Sequence, residues 1–193
     1  MRHPVIAPLL AFALALSPAL APAKDKKKMA DEFTGTLISM EVSAAMGKRV
    51  QIWVESYTPD DVAEGLIKTL SEQGQRPLLN AVTDLRVGTI KLGTSNGYPI
   101  SVARQRVQPD GSRTVVLVTS RPFVGFAPAA GTRIDDYPFG LIELRLAADG
   151  TGEGTIVGAA QLAFDPATKD LSVKTYATQP GRISSVKAAQ PKS

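Results

Sequence analysis

Two groups of residues in this chain have the types and spacing to do chemistry. The first is acidic: Glu41, Glu55, Glu143 and Glu153 fall on or beside segments that read as β-strands. Two carboxylates a few ångströms apart can share acid, base or nucleophile duty in glycoside hydrolysis, so a facing pair would make a carbohydrate-active hydrolase. Alternation argues for a plainer role. In a half-solvated sheet the polar residues of an alternating strand face water, and Glu143 with Arg145 in Leu141-Ile-Glu-Leu-Arg-Leu146 reads as such a row.

The second group lies in one long link, residues 121–138. It holds Arg121, Arg133, Asp135 and Asp136 together with Phe123, Phe126 and Tyr137. Aromatic faces beside planar hydrogen-bonding groups suit a sugar, a peptide or an organic acid, and a link this long inside a compact domain is often a binding loop. These seven residues are the candidate ligand site. The competing expectation is that Phe123 and Phe126 plug the end of the core while the arginines pair with Asp135 or Asp136.

Composition removes most other chemistry. The 193-residue chain has no cysteine and a single histidine, His3. Arg2 and His3, the mostly apolar stretch from Val5 to Leu16 and the small residues of Pro18-Ala-Leu-Ala-Pro-Ala23 read as a secretion signal cut after Ala23. The mature chain then has neither imidazole nor thiol, which excludes a Ser-His-Asp triad, a cysteine nucleophile, a His/Cys zinc site and any disulfide. No metal or other cofactor is expected, and no catalytic residue is assigned. The glycine-rich Gly150-Thr-Gly-Glu-Gly-Thr-Ile156 is not a phosphate cradle, because a strand rather than a helix should follow it. The acidic residues also lack the spacing of a calcium loop.

The formal net charge of +4 is concentrated near the ends of the chain. Between residues 33 and 178 there are 14 basic residues against 15 acidic ones. A nucleic-acid binder would carry a basic stripe on its folded body, so no nucleic-acid partner is expected. The apolar N-terminal run is too short to span a bilayer and no later run approaches the required length, so no transmembrane segment remains after signal cleavage.

The elements that must position these residues are mostly strands. Short alternating runs at 34–42, 49–57, 87–92, 100–107, 114–119, 141–146, 154–164 and 171–176 read as eight of them. Residues 44–47, Pro109-Asp-Gly-Ser112, Asp149-Gly150 and Asp165-Pro-Ala-Thr168 supply turns. Val115 to Val118 is apolar without alternation, as expected of a strand covered on both faces. One helix interrupts the series, with Thr58 as cap, Pro59 opening it and Gly74 ending it. Its apolar face is Val62, Leu66, Ile67 and Leu70, and it should lie as a lid on the sheet. Val50, Ile52 and Val54 form a core row on the second strand. Trp53, on the other face, is either a platform for a ligand or partner or packed beneath that helix, and packing is the expectation.

The predicted organisation is therefore a signal peptide at 1–23, a flexible basic leader at 24–32, one β-rich domain at 33–178 and a flexible tail at 179–193. The fold class is mainly β: an antiparallel β-sandwich or a partly closed β-barrel of about eight strands, with one packed helix, and of the two the sandwich is the expectation. Thr119-Ser-Arg-Pro-Phe123, Asp136-Tyr-Pro-Phe-Gly140 and Gly152-Glu-Gly154 resemble an uncharacterised group of exported bacterial β-rich proteins. That resemblance implies export and a β-rich fold and brings no activity. The function expected is that of an exported, non-catalytic binding or envelope-associated module, periplasmic or secreted, taking a small molecule, a glycan or a protein. A carboxylate-dependent hydrolase and an accessory subunit of an envelope complex are the alternatives.

Overall fold

A computed structural model describes residues 29–38, 47–123, 136–165, 170–175 and 179–189. The element order is β1 (Asp31–Ile38), β2 (Lys48–Val54), α1 (Asp60–Gln73), α2 (Gln75–Thr83), β3 (Gly88–Leu92) and β4 (Tyr98–Ile100). It continues with β5 (Val102–Val107), β6 (Arg113–Thr119), β7 (Phe139–Leu146), β8 (Thr151–Asp165), β9 (Asp170–Thr175) and β10 (Gly181–Ala188). All pairings are antiparallel and follow the order β4-β3-β2-β1-β10-β8-β7-β6-β5, with β9 paired to the far part of β8.

The mainly β, antiparallel expectation holds, but the sheet forms a nearly closed barrel and not the expected sandwich. Segment 98–107, expected as a single strand from residue 100, changes partner partway. Gly88 of β3 pairs with Ile100 of β4, the Ser101 N–H donates to the Val118 carbonyl, and Val102 of β5 pairs with Val118 of β6. One piece of backbone thus joins both ends of the sheet. Changing partner within a strand in this way lets a twisted sheet close and leaves few edges unpaired.

Alternation fills the interior. Val50, Ile52 and Val54 point inward as expected, joined by Phe33, Leu37, Ile90, Ile100, Val115, Leu117, Ile142, Leu144, Ile156 and Ile183. The expected turns are present where they are described. Asp110 Oδ1 accepts from the N–H and Oγ of Ser112, and Asp149 Oδ1 accepts from the N–H and Oγ1 of Thr151. Those hydrogen bonds, the side-chain ones foremost, hold both carboxyls below the ordinary aspartate range. Of the two remaining turns, Pro166, Ala167 and Thr168, and residues 44–46, lie outside the described residues.

Two segments differ from expectation. Residues 181–188, assigned to a flexible tail, form β10, which sits between β1 and β8. Ile183 and Val186 both point into the core although they are three residues apart, because Ser185 takes φ 53° and both ladders slip there. A bulge re-aims side chains in this way and destroys the two-residue period that marks a strand in sequence. Asp31 and Glu32, assigned to the leader, likewise open β1.

A second helix follows the first. Gly74, at φ 89°, ends α1 as expected and donates its N–H to the Leu70 carbonyl, but the chain turns there directly into α2. Leu78 and Val82, one turn apart, are the buried residues of α2. With Leu70 of α1 they pack on Phe139, Leu141, Ala160 and Leu162, making a second core on the outer face of the barrel wall. No helix of the described residues is long and apolar enough to cross a membrane.

Candidate functional site

The loop at 121–138 is described only at its two ends, and those ends divide its candidates. Phe126, Arg133 and Asp135 lie outside the described residues. Phe123 is fully buried in the barrel core, edge-on to Tyr98 with ring centroids 4.9 Å apart. Its ring is therefore core material: a fully enclosed phenyl contributes through lost water contact and has no face left for a ligand. Gly140 makes room for it, since a Cβ at that position would stand 2.8 Å from the Phe123 ring and 2.6 Å from Thr119 Oγ1. Arg121 is exposed, with its guanidinium 5.1 Å from the Tyr98 ring centroid and a hydrogen bond to the Gly97 carbonyl. Asp136 is exposed, and its backbone carbonyl accepts from Gln75 Nε2. Tyr137 is half-buried.

Both loop ends meet α2. Arg121 and Pro122 on one side and Pro138 on the other face Gln75, Arg76, Leu79 and Asn80 across a cleft of about 320 Å³. Gln75 ties this corner together, because its Oε1 accepts the Leu162 N–H of β8 at 2.8 Å while its Nε2 donates to Asp136. The structure thus brings Arg121 and the end of the loop together beside α2, and it separates Phe123 from them.

The acidic candidates form a different surface. Glu143 and Glu153 share the outer faces of β7 and β8 in a cleft of about 310 Å³ with Arg145 and Arg182. Arg145 donates to Glu143 at 2.7 Å and Arg182 to Glu153 at 2.5 Å, and all four side chains are well exposed. Each carboxylate thus has a guanidinium partner in water, the ionic row that alternation predicts, and such pairs contribute little to stability. Glu55 is half-buried, and Glu41 lies outside the described residues. Among the described residues no three His, Cys, Asp or Glu side chains are grouped to hold a metal ion.

A further concave feature was not singled out in the sequence. A cleft of about 480 Å³ runs between α1 and the outer face of the barrel wall. Its helical wall is Ala63, Leu66, Ile67 and Leu70, its floor is Val102, Val116, Val118, Phe139 and Leu162, and Leu78 and Val82 of α2 line it too. Asp60, Glu64 and Arg104 are its polar residues. That volume falls within the roughly 300–1,000 Å³ of small-molecule sites, which are mostly apolar with a few polar groups.

The cleft exists because α1 is only half seated. Of its fourteen residues only Leu70 is buried, while Ile67 is 43% exposed and Val62 38%. Helix and sheet meet closely at the Leu70 end and leave apolar surface uncovered toward the first turns. The start of the helix is held from below. Thr58, expected as the cap, instead accepts the Ala103 N–H at its Oγ1 and donates its own N–H to the Ala103 carbonyl. Asp60 and Asp61 occupy the first turn as expected. Arg104 of β5 then donates one nitrogen to the Thr58 carbonyl and another to Asp60 at 2.5 Å. One signal for this site was present in the sequence: the unbroken apolar run 115–118 demands cover on both faces, and its outward residues Val116 and Val118 are the cleft floor.

Trp53 is not under the helices, which pack against β8. It is half-buried on the outer face of β2, between Glu32 of β1 and Thr89 of β3.

At another part of the molecule Asp31 accepts two hydrogen bonds from Arg113 at 2.9 Å and one from the Tyr57 hydroxyl at 2.7 Å. Arg113 lies 5.3 Å from the Phe33 ring centroid. β1 and β6 are separated by three strands, so this clasp ties opposite walls of the barrel. Burial first, and then the hydrogen bond to Asp31, push the Tyr57 hydroxyl well above the ordinary tyrosine range. The bond to Asp31 likewise raises Arg113.

Comparison of the chain with models of protein families, with curated proteins and with solved structures found no match in any of the three.

Proposed function

We propose that this chain is an exported, non-catalytic binding module that holds an apolar small molecule in the cleft between α1 and the barrel wall. The observation that carries the reading is the half-seated helix: about 480 Å³ of apolar concavity stands open beside exposed Ile67, on a barrel whose own interior is filled. An apolar ligand entering it removes leucine, isoleucine and valine surface from water, at roughly 25 cal/mol per Å² buried. The N-terminal apolar run with its small-residue end supports export. The acidic residues support binding over hydrolysis, since Glu143 and Glu153 each engage an arginine in contact with water.

Titration with the neutral apolar dye Nile red tests this. The protein should take up the dye saturably, and Val116→Trp should abolish uptake while leaving circular dichroism and melting temperature close to the parent. Val116 suits the test because it lines the cleft floor without belonging to the cluster that seats the helices. Absence of saturable uptake by the parent, or unchanged uptake by a folded Val116→Trp protein, overturns the reading.

A further inference from the structure

We infer that the α1 cleft selects a single-chain amphiphile whose head group is cationic, an alkylammonium, with Glu64 as the residue that reads the head. The inference rests on the cleft being the binding site, and it adds the chemistry of the ligand.

The charges at the mouth are few. Arg104 is already engaged, by the Thr58 carbonyl and by Asp60, so its guanidinium is neutralised and held in place. The positive end of the α1 dipole has Asp61 beside it in the first turn. Glu64 stands one turn further on, exposed, on the cleft lining, and without an ion-pair partner among the described residues. Lys68 lies a further turn along the same helix but does not line the cleft. The remaining lining is hydrocarbon, so an acyl or alkyl chain in the cleft presents its head to one uncompensated carboxylate. A carboxylate head would meet repulsion there, and a neutral alcohol would gain nothing from the charge.

The whole chain argues in the opposite direction, which makes the test discriminating. Its formal net charge is +4, carried near the chain ends, so long-range attraction to the chain as a whole favours anionic amphiphiles, and the body at 33–178 is near neutral. A preference for cations therefore reports the rim and not the overall charge.

Binding of decanol, decylammonium and decanoate, each below its micellar concentration, measures the chain and the head separately at pH 7. Decylammonium should bind about fivefold tighter than decanol, as an exposed charge pair allows, and decanoate more weakly than decanol. Glu64→Gln should remove the ammonium advantage without altering decanol, Glu64→Lys should invert the order, and added salt should shrink the advantage in the parent. Equal binding of decanol and decylammonium, or an ammonium advantage that survives Glu64→Gln, overturns the head-group inference while the apolar cleft stands. Failure of decanol itself to bind takes down both.

Discussion

Single side chains in this barrel differ in worth according to how much water reaches them, and two aspartate–arginine pairs show the contrast. Asp31 and Arg113 are 15% and 22% exposed and make two parallel hydrogen bonds, with Tyr57 adding a third to the carboxylate. Removing the carboxylate leaves a guanidinium and a phenol half out of water without their acceptor. Asp31→Ala should therefore lower stability by about 2–3 kcal/mol. Asp60 is 84% exposed in its pair with Arg104, and Asp60→Ala should cost less than about 1 kcal/mol. Urea denaturation of the two variants checks this, and similar losses in both would refute the burial argument. Ser101 differs from all of these: its hydroxyl is the one buried side-chain oxygen among the described residues with no hydrogen-bond partner, at the point where the closing segment changes partner.

At the scale of elements, the helical pair is attached to the barrel by Leu70, Leu78 and Val82, with Leu66, Leu79 and Leu85 around them, packed on one patch of wall, by Arg104 at the start of α1, and by Gln75. Gln75 uses both ends of its amide, one on the Leu162 N–H and one on the Asp136 carbonyl, so its loss frees α2, β8 and the end of the loop at once. Gln75→Ala should cost about 1–2 kcal/mol. Hydrogen exchange should quicken at Leu162 and through α2, while the amides of Ile142 and Ile183 inside the barrel keep their protection. Uniform acceleration across the barrel would mean that the helices and the barrel open as one unit. The sequence announced α1 well, through Pro59, two acids and an apolar face, yet it concealed how loosely that face is covered. Leu66 and Leu70 pack inward while Ile67 and Val62, on the same apolar face by periodicity, stay 43% and 38% exposed. Periodicity states which side of a helix is apolar and does not state how far the helix stands from its support.

For the whole molecule the decisive strand is the last one. β10 joins β1 to β8, so without it the barrel opens along that seam and the core residues Ile183 and Val186 are lost. A chain ending after Gln179 should fail to give a cooperative unfolding transition, whereas a chain beginning at Met29 should retain one of nearly full size. Calorimetry on the two truncations decides this, and a cooperative transition in the shortened C-terminal variant would show that β10 is dispensable. Beginning the chain after Glu32 is a different matter, because it removes Asp31 and with it the clasp to Arg113.

What the sequence determined alone was the local order. Strands β2, β3, β6 and β7 and the first helix lie close to where alternation, turn residues and capping signals put them, because those signals depend on neighbours within a few residues. The apolar run at 115–118 announced an apolar outer face as well as a core face, but the outer one, Val116 and Val118, is only half covered and floors the cleft. Tertiary structure decided the rest. Whether the sheet closes depends on Ser101 and Val118, which are seventeen residues apart, and on a terminal strand meeting the first one. β10 escaped notice because its bulge spaces two core residues three apart. The cleft has no motif at all: its walls come from α1, α2, β5, β6, β7 and β8. Concavity belongs to the distance between packed surfaces, and that distance is set by contacts among residues far apart in the chain.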